Sequence, residues 1–435
     1  MTDSPPSCPV ARIREYDEAL RFDRSRSIAN APKMFAGVPS DPQQGEINVR
    51  EFLAGSLVFI DGAEHRDRRK MLNRLIRPDA LTAIREDMIL PAARDYLINR
   101  LGEADPDGVH RADLVDLCHR TFLQFTARLI GLVGIDTEEG LTRLSECAGP
   151  IAAGTSSQFL ENRATINEIA LAAKATYVNE FYRPSLAAAE ELIAKTKAGT
   201  IPVEDVPINI MTLIATGADP AYLDEATAII ETTMMFAASV GTSTQSVIHT
   251  VDFLDHWLRH HPEDLPLRTD RRFLLNALQE TIRLRAPFSP YNTRMAIEDC
   301  EVAGHQLRNG QEVHIERVAA NRNRAIFGDD ANEFNPRRAS PTDGVQRFGL
   351  GFGSGAHQCF GLRVVLGIDG SGGAHVELLR LLYLAGIEPD HHQTPSDLKK
   401  DMDKFSVEDI PRYTSYPVVF RSYEPSEFQA VSAGV

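Results

Sequence analysis

Residues 351–361 read Gly-Phe-Gly-Ser-Gly-Ala-His-Gln-Cys-Phe-Gly. Cys359 follows glycines at alternate positions, Gly351, Gly353 and Gly355, and Gly361 comes two residues after it. Glycine lets a backbone turn tightly and approach a flat ligand closely. A thiolate at the end of such a loop can accept amide N–H bonds, which hold its charge and tune a metal bound to it. Two other readings stand beside that one. A lone cysteine is commonly a small buried hydrophobe. A glycine run also suggests a phosphate loop. Against that, Ser354 and Ala356 stand where a G-x-G-x-x-G pattern needs its last glycine, and no strand–turn–helix unit with a ribose-binding acid follows.

The rest of the chain sets bounds. With 435 residues and 43% hydrophobic content it has material for a sizeable core, in one large domain or two to three ordinary ones. A net charge of −15 argues against a nucleic-acid partner. The five cysteines, Cys8, Cys118, Cys147, Cys300 and Cys359, include no C-x-x-C pair. That argues against a disulfide framework or a zinc ribbon and favours a reducing compartment. Met1 to Val10 is polar and carries prolines, without the apolar stretch of a signal peptide or membrane anchor, so a soluble cytoplasmic protein is expected. Residues 424–435 read as a frayed tail.

From about Ile13 to Gly199 helical spacing dominates: His65–Leu75, basic on one side, then Leu90–Leu101, Ala112–Leu132 and Ile166–Lys197. Pro39–Gly55 reads as a polar loop. Asp219-Pro220 is a helix start signal, and the pattern runs on to about Arg259 without another proline. A helix that long, on the order of 55 Å, argues for one large unit. Its middle, Ile229–Val240, is mostly apolar or small and predicts burial on most sides. Asp270–Leu284 is a further helix, ended before Pro287. Residues 291–317 then turn β-like around Arg294–Ile297, Cys300–Val302, the turn Asn309-Gly310 and Glu312–Ile315, with another strand near Tyr416–Phe420.

The pattern Phe352-Gly353-x-Gly355-x-His357-x-Cys359-x-Gly361 resembles the haem-binding loop of the cytochrome P-450 family. The resemblance implies that Cys359 is the axial ligand of the iron in haem b, with Phe352, Gly353 and Gly361 shaping the loop. Glu280-Thr281-Ile282-Arg283 places opposite charges three apart, which alone reads as an ordinary surface pair. Upstream of the Cys loop it looks like the family's buried Glu–Arg pair, with Arg338 as third member and a structural role. His65 and Arg69, four apart on one face, read either as a solvated basic face or, by the resemblance, as haem propionate partners together with Arg294 and His357.

In the long helix, Ala237-Ala238-Ser239-Val240-Gly241-Thr242-Ser243 resembles the family's oxygen-activation motif. It implies a catalytic Thr242, with small residues at Ala238 and Gly241 leaving room for a diatomic ligand. The plainer reading is a hydroxyl-rich stretch whose side chains bond the preceding turn. The family usually has an acid where this chain has Gly241, so proton delivery would pass through water, Ser243 or a polar group on the substrate. Asp369-Gly370-Ser371-Gly372-Gly373 should interrupt the helix that the family places after the loop. With only 64 residues before His65, the N-terminal region 1–44 is expected to be shortened, its first helix and sheet reduced.

The fold class implied is mainly α with small β-sheets (α+β), one domain over 1–435 crossed by a long central helix. The function implied is a haem-thiolate monooxygenase of the soluble bacterial type. It would insert one atom of O2 into a small apolar substrate, with electrons from a ferredoxin-type donor and its reductase. The thiolate would push electron density toward the iron and favour O–O cleavage. Arg66, Arg68, Lys70 and Arg363 read equally as a basic docking face for that donor and as plain solubility. Gly241 motivates an alternative, a peroxide-driven or non-oxygenating enzyme of the same fold; from another class, a haem-binding sensor or carrier remains. Placed by resemblance, Phe52, Leu53, Leu57, Met234, Ala237, Phe288, Ser289 and Tyr413 are the substrate-lining candidates.

Overall fold

The computed structural model of the chain describes residues 10–30, 50–101, 104–155, 157, 162–217, 219–287, 291–341, 344–368, 372–397 and 412–421. Phe288, Ser289, the first nine residues, the tail 422–435 and most of the expected loop 39–55 lie outside them.

Glu225–His260 forms one helix of 36 residues, about 54 Å long. Asp224 caps it by accepting the Thr227 N–H at 3.0 Å. Because Asp224 supplies the cap, the start signal at Asp219-Pro220 opens only a 3₁₀ turn, Pro220–Leu223. The helix packs against Leu114–Ile130, Glu138–Gly154 and Arg271–Leu284. Leucine, isoleucine and phenylalanine at helical spacing on these partners build the main core around it. The expected helix Ile166–Lys197 runs as Arg163–Tyr177 and Arg183–Lys197, joined through a π turn at Val178–Tyr182. Glu138–Gly154, capped by Thr137, was not singled out from the sequence.

The sheets are small, as expected. Ala11–Ile13 pairs parallel with Glu312–Ile315, which pairs antiparallel with Asn292–Ala296, which in turn pairs with Ile28–Ala29. A second sheet runs His110–Asp113, Pro417–Phe420, Ile387–Pro389. Ala112 and Asp113 therefore belong to a strand, and the helix that was expected to begin there begins at Leu114. The N-terminal helix and sheet, expected to be reduced, are both present. Tyr16–Arg24 buries Tyr16, Ala19 and Phe22 in a smaller core beneath the first sheet. Arg50–Leu53 adds one short helical turn inside the segment read as a loop. Among the described residues no helix is long and apolar enough to cross a membrane.

Candidate functional site

The glycines of the Cys loop have local reasons. A Cβ at Gly351 would lie 2.4 Å from Ile282 Cγ2, and one at Gly355, where φ is +69°, would lie 2.4 Å from the Asp23 carbonyl. The loop closes where the Cys359 N–H donates to the Phe352 carbonyl at 2.8 Å. The Phe352 ring stands edge-on to Phe348. Ser354 donates from its backbone and its hydroxyl to Asp23, at 3.1 and 3.0 Å.

Cys359 is exposed, yet surrounding protein pushes its thiol pKa up. Both hold for a thiol on the wall of an internal opening. The N–H groups of Gly361 and Leu362 and the guanidiniums of Arg69 and Arg317 act in the opposite sense and favour the thiolate. A Cβ at Gly361 would sit 3.8 Å from Cys359 Sγ.

The helix Gly62–Leu72 brings His65 and Arg69 to this loop. The rings of His65 and His357 lie 4.2 Å apart. Arg69 donates to the Gln358 carbonyl at 2.9 Å and covers the Phe360 ring. Burial, with His357 and Arg69 nearby, lowers the His65 pKa to about 4. His65 Nε2 is buried and finds no hydrogen-bond partner among the described residues. His357 and Arg294 already face carboxylates of the chain: His357 Nε2 lies 2.8 Å from Asp61, and Arg294 lies 3.6 Å from Asp23.

Glu280 and Arg283 are fully buried and joined through both carboxylate oxygens, at 2.7 and 2.8 Å. Arg338 completes the cluster, donating to Glu280 at 2.9 Å. Arg283 also donates to the carbonyls of Asn321 and Ala331, which ties the helix Arg271–Leu284 to the segment leading into the Cys loop.

Ala238 and Gly241 are exposed in the middle of a helix otherwise mostly buried, with Ala237 and Thr242 half-buried beside them. A Cβ at Gly241 would meet nothing within 4 Å. This stretch faces open space. The Thr242 hydroxyl donates to the Ala238 carbonyl at 2.6 Å. Of the lining candidates, Tyr413 is half-buried, while Leu53, Leu57 and Met234 are almost closed off. Phe52 is fully buried against Gly154 and under the Lys174 cation.

Arg68 departs from expectation. It is fully buried, 3.4 Å from Glu231, and cannot contribute to a surface docking face; Arg66, Lys70 and Arg363 are exposed. Three further features escaped the sequence reading. Arg317 is buried within electrostatic reach of Cys359. Gln245 clamps the Tyr413 backbone with two bonds, 2.8 and 2.9 Å. Glu231 is a carboxylate inside the apolar run of the long helix, which was its only signal. Burial raises its pKa to about 7 despite the neighbouring Arg68.

Comparison with known proteins finds similarity to one family. The family model described as Cytochrome P450 matches residues 254–365. Vitamin D3 dihydroxylase of Streptomyces griseolus is 31% identical over 129 residues, 29% of each chain. Linalool 8-monooxygenase of Pseudomonas putida is 33% identical over 28% of each chain. Those two matches therefore span less than a third of the relatives' length. Luteothin monooxygenase of Streptomyces thioluteus aligns over 81% of this chain and 76% of its own, at 24% identity. Among solved structures, a mutant of the cytochrome P-450 EryK with erythromycin B superposes with a TM-score of 0.63 at 21% identity, covering 95% of this chain and 91% of that one. An epothilone D-bound enzyme gives 0.67 at 16% identity, covering 94% and 90%.

Proposed function

We propose that the chain is a member of the cytochrome P-450 family and a haem-thiolate monooxygenase acting on a small apolar substrate. The observation that carries this is the cradle around Cys359: an exposed thiol that faces the N–H groups of Gly361 and Leu362, beside Arg69 and the buried Nε2 of His65, which has no partner among the described residues. A haem fits there. Cys359 would ligate its iron, and His65 and Arg69 would hold its propionates, joined by His357 and Arg294 once these give up Asp61 and Asp23. Haem b is the form proposed, since a single thiolate and charged propionate partners suffice to hold it.

When bound, the haem supplies the oxidising chemistry, in which one oxygen atom of O2 enters the substrate and the other leaves as water, using two electrons and two protons. The chain's own part is to hold and to deliver. Gly361 and Leu362 N–H groups and the two guanidiniums stabilise the charge on sulfur. Ala238 and Gly241 keep the long helix clear of side chains where a small ligand must sit. Thr242 Oγ1 holds a proton, now shared with the Ala238 carbonyl, that must turn outward to be passed on. With Gly241 lacking an acid, water in the adjoining open space resupplies it. Electrons would come from a ferredoxin-type protein and its reductase, docking on Arg66, Lys70 and Arg363, and the protein would work in the cytoplasm.

The test is the reduced carbon-monoxide difference spectrum. The wild type should show the red-shifted Soret band of thiolate-ligated haem and Cys359→Ala should lack it; an unchanged mutant spectrum refutes the assignment.

A further inference from the structure

Glu231 lies in the long helix, and its Oε2 accepts the Leu57 N–H at 3.1 Å and faces Arg68 Nη1 at 3.4 Å. Arg68 in turn donates to the Gly55 carbonyl and to Glu64, stands 3.5 Å from Asp219 and covers the Tyr222 ring. One turn of backbone, Gly55 to Leu57, is thus held at both ends: its carbonyl by Arg68 and its amide by Glu231. Gly55 adopts φ +78°, so the turn is a shaped one. Three parts of the chain meet here: this turn, the helix that carries His65 and Arg69, and the long helix.

Position along the long helix gives the cluster its meaning. Glu231, Ala238 and Thr242 are seven and eleven residues apart, within about 20° of one face. Glu231 lies roughly 10 Å from Ala238 along the axis. It therefore sits at the end of the face that opens at Ala238, Gly241 and Thr242, and it pins Leu57 there. Leu53 and Leu57 are almost fully buried, at 3% and 5% exposure, so that end is closed. A buried carboxylate is a costly way to fill space, and an apolar side chain would pack there more cheaply. What the carboxylate does and an apolar side chain cannot is bond the loop amide.

We infer that Glu231 is a positioning residue that latches the Leu53–Leu57 wall to the long helix and thereby limits how far a ligand can extend along it. This rests on the haem-thiolate reading of the site.

The experiment uses two azole probes whose binding is read as a shift of the haem Soret band: imidazole, too short to reach the wall, and the bulky clotrimazole. Glu231→Leu keeps the volume and removes both bonds, while Arg68 retains Glu64, Asp219 and the Gly55 carbonyl. In that variant clotrimazole should bind more tightly by on the order of tenfold, the scale of a small change in pocket size. Imidazole affinity and the carbon-monoxide spectrum should stay the same. Glu231→Gln keeps an acceptor for the Leu57 N–H and should restore the wild-type clotrimazole affinity. Without haem, amide exchange in residues 53–59 should be slow in wild type and Glu231→Gln and fast in Glu231→Leu. Equal changes for both azoles, no change for clotrimazole, unaltered exchange, or a Glu231→Leu protein that does not fold would each overturn the latch. Absence of any azole shift in the wild type, with slow exchange intact, would instead fault the haem reading.

Discussion

Replacing Glu280 with alanine should cost this protein a large share of its stability. The carboxylate accepts three guanidinium bonds between 2.7 and 2.9 Å and a longer one from the Asn335 amide at 3.3 Å. Its removal leaves Arg283, fully buried, with carbonyl acceptors only, and Arg338 with Asp330 as its one remaining carboxylate. The Nε–H groups of Arg283 and Arg338 lose their acceptor, and one buried positive charge goes uncompensated. Breaking a buried pair in this way costs about 3–5 kcal/mol, against a typical total of about 5–15 kcal/mol. With a urea slope of about 3 kcal/mol per molar, the midpoint should fall by roughly 1–1.7 M. The assay is urea unfolding followed by far-UV circular dichroism, with haem content of the purified protein measured in parallel. Glu280→Gln, which keeps an oxygen acceptor and the volume, should fall between the two. A midpoint for Glu280→Ala within about 0.3 M of wild type, with full haem content, would refute the reasoning, because it would mean that the guanidiniums are satisfied without the carboxylate.

Arg69→Ala should speed haem loss to apomyoglobin by about ten- to a hundredfold, the scale of one charge-assisted bond; an unchanged rate would remove Arg69 from the propionate site. Thr242→Ala should lower product formed per NADH by on the order of tenfold and raise peroxide release. If the ratio stays put, Thr242 does no more than bond Ala238, and the peroxide-driven alternative gains ground. Gly241→Asp, for which the structure leaves open space, should raise that ratio with a substrate lacking a polar group near the reacting carbon. Gly355→Ala, which would force a Cβ onto the Asp23 carbonyl at a left-handed φ, should destabilise by at least ~2 kcal/mol in the same urea assay.

The legible parts of this chain were those whose reasons are local. Each glycine before Cys359 is required by a neighbour or by its own φ, so the loop could be read from eleven residues. The long helix announced itself through an apolar run without proline, and Asp270 marked the start of the next helix by capping Phe273. What could not be read depends on partners far away in sequence. Ala11–Ile13 is a three-residue strand only because Glu312–Ile315 lies beside it. A basic residue on an amphipathic helix looks solvated, and nothing near Arg68 reveals that Glu231, 163 positions later, will bury it. Gln245 likewise has its purpose in Tyr413, 168 positions on.

The helix after the Cys loop bears on how the sulfur keeps its charge. Leu362–Leu366 has five residues and ends at Gly367, where φ is +79°; the next helix starts at Ala374. A helix acts as a macrodipole, positive at its start and negative at its end. In a long helix the negative pole is too distant to matter to a group at the start. Here the two poles are only about 7.5 Å apart, so the far one cancels much of what the near one offers to Cys359. The first-turn N–H groups still act, because they touch the sulfur, but the longer-range field of the backbone is largely spent. Arg69 and Arg317 supply positive charge at that distance instead, carried by side chains and hence open to change one residue at a time.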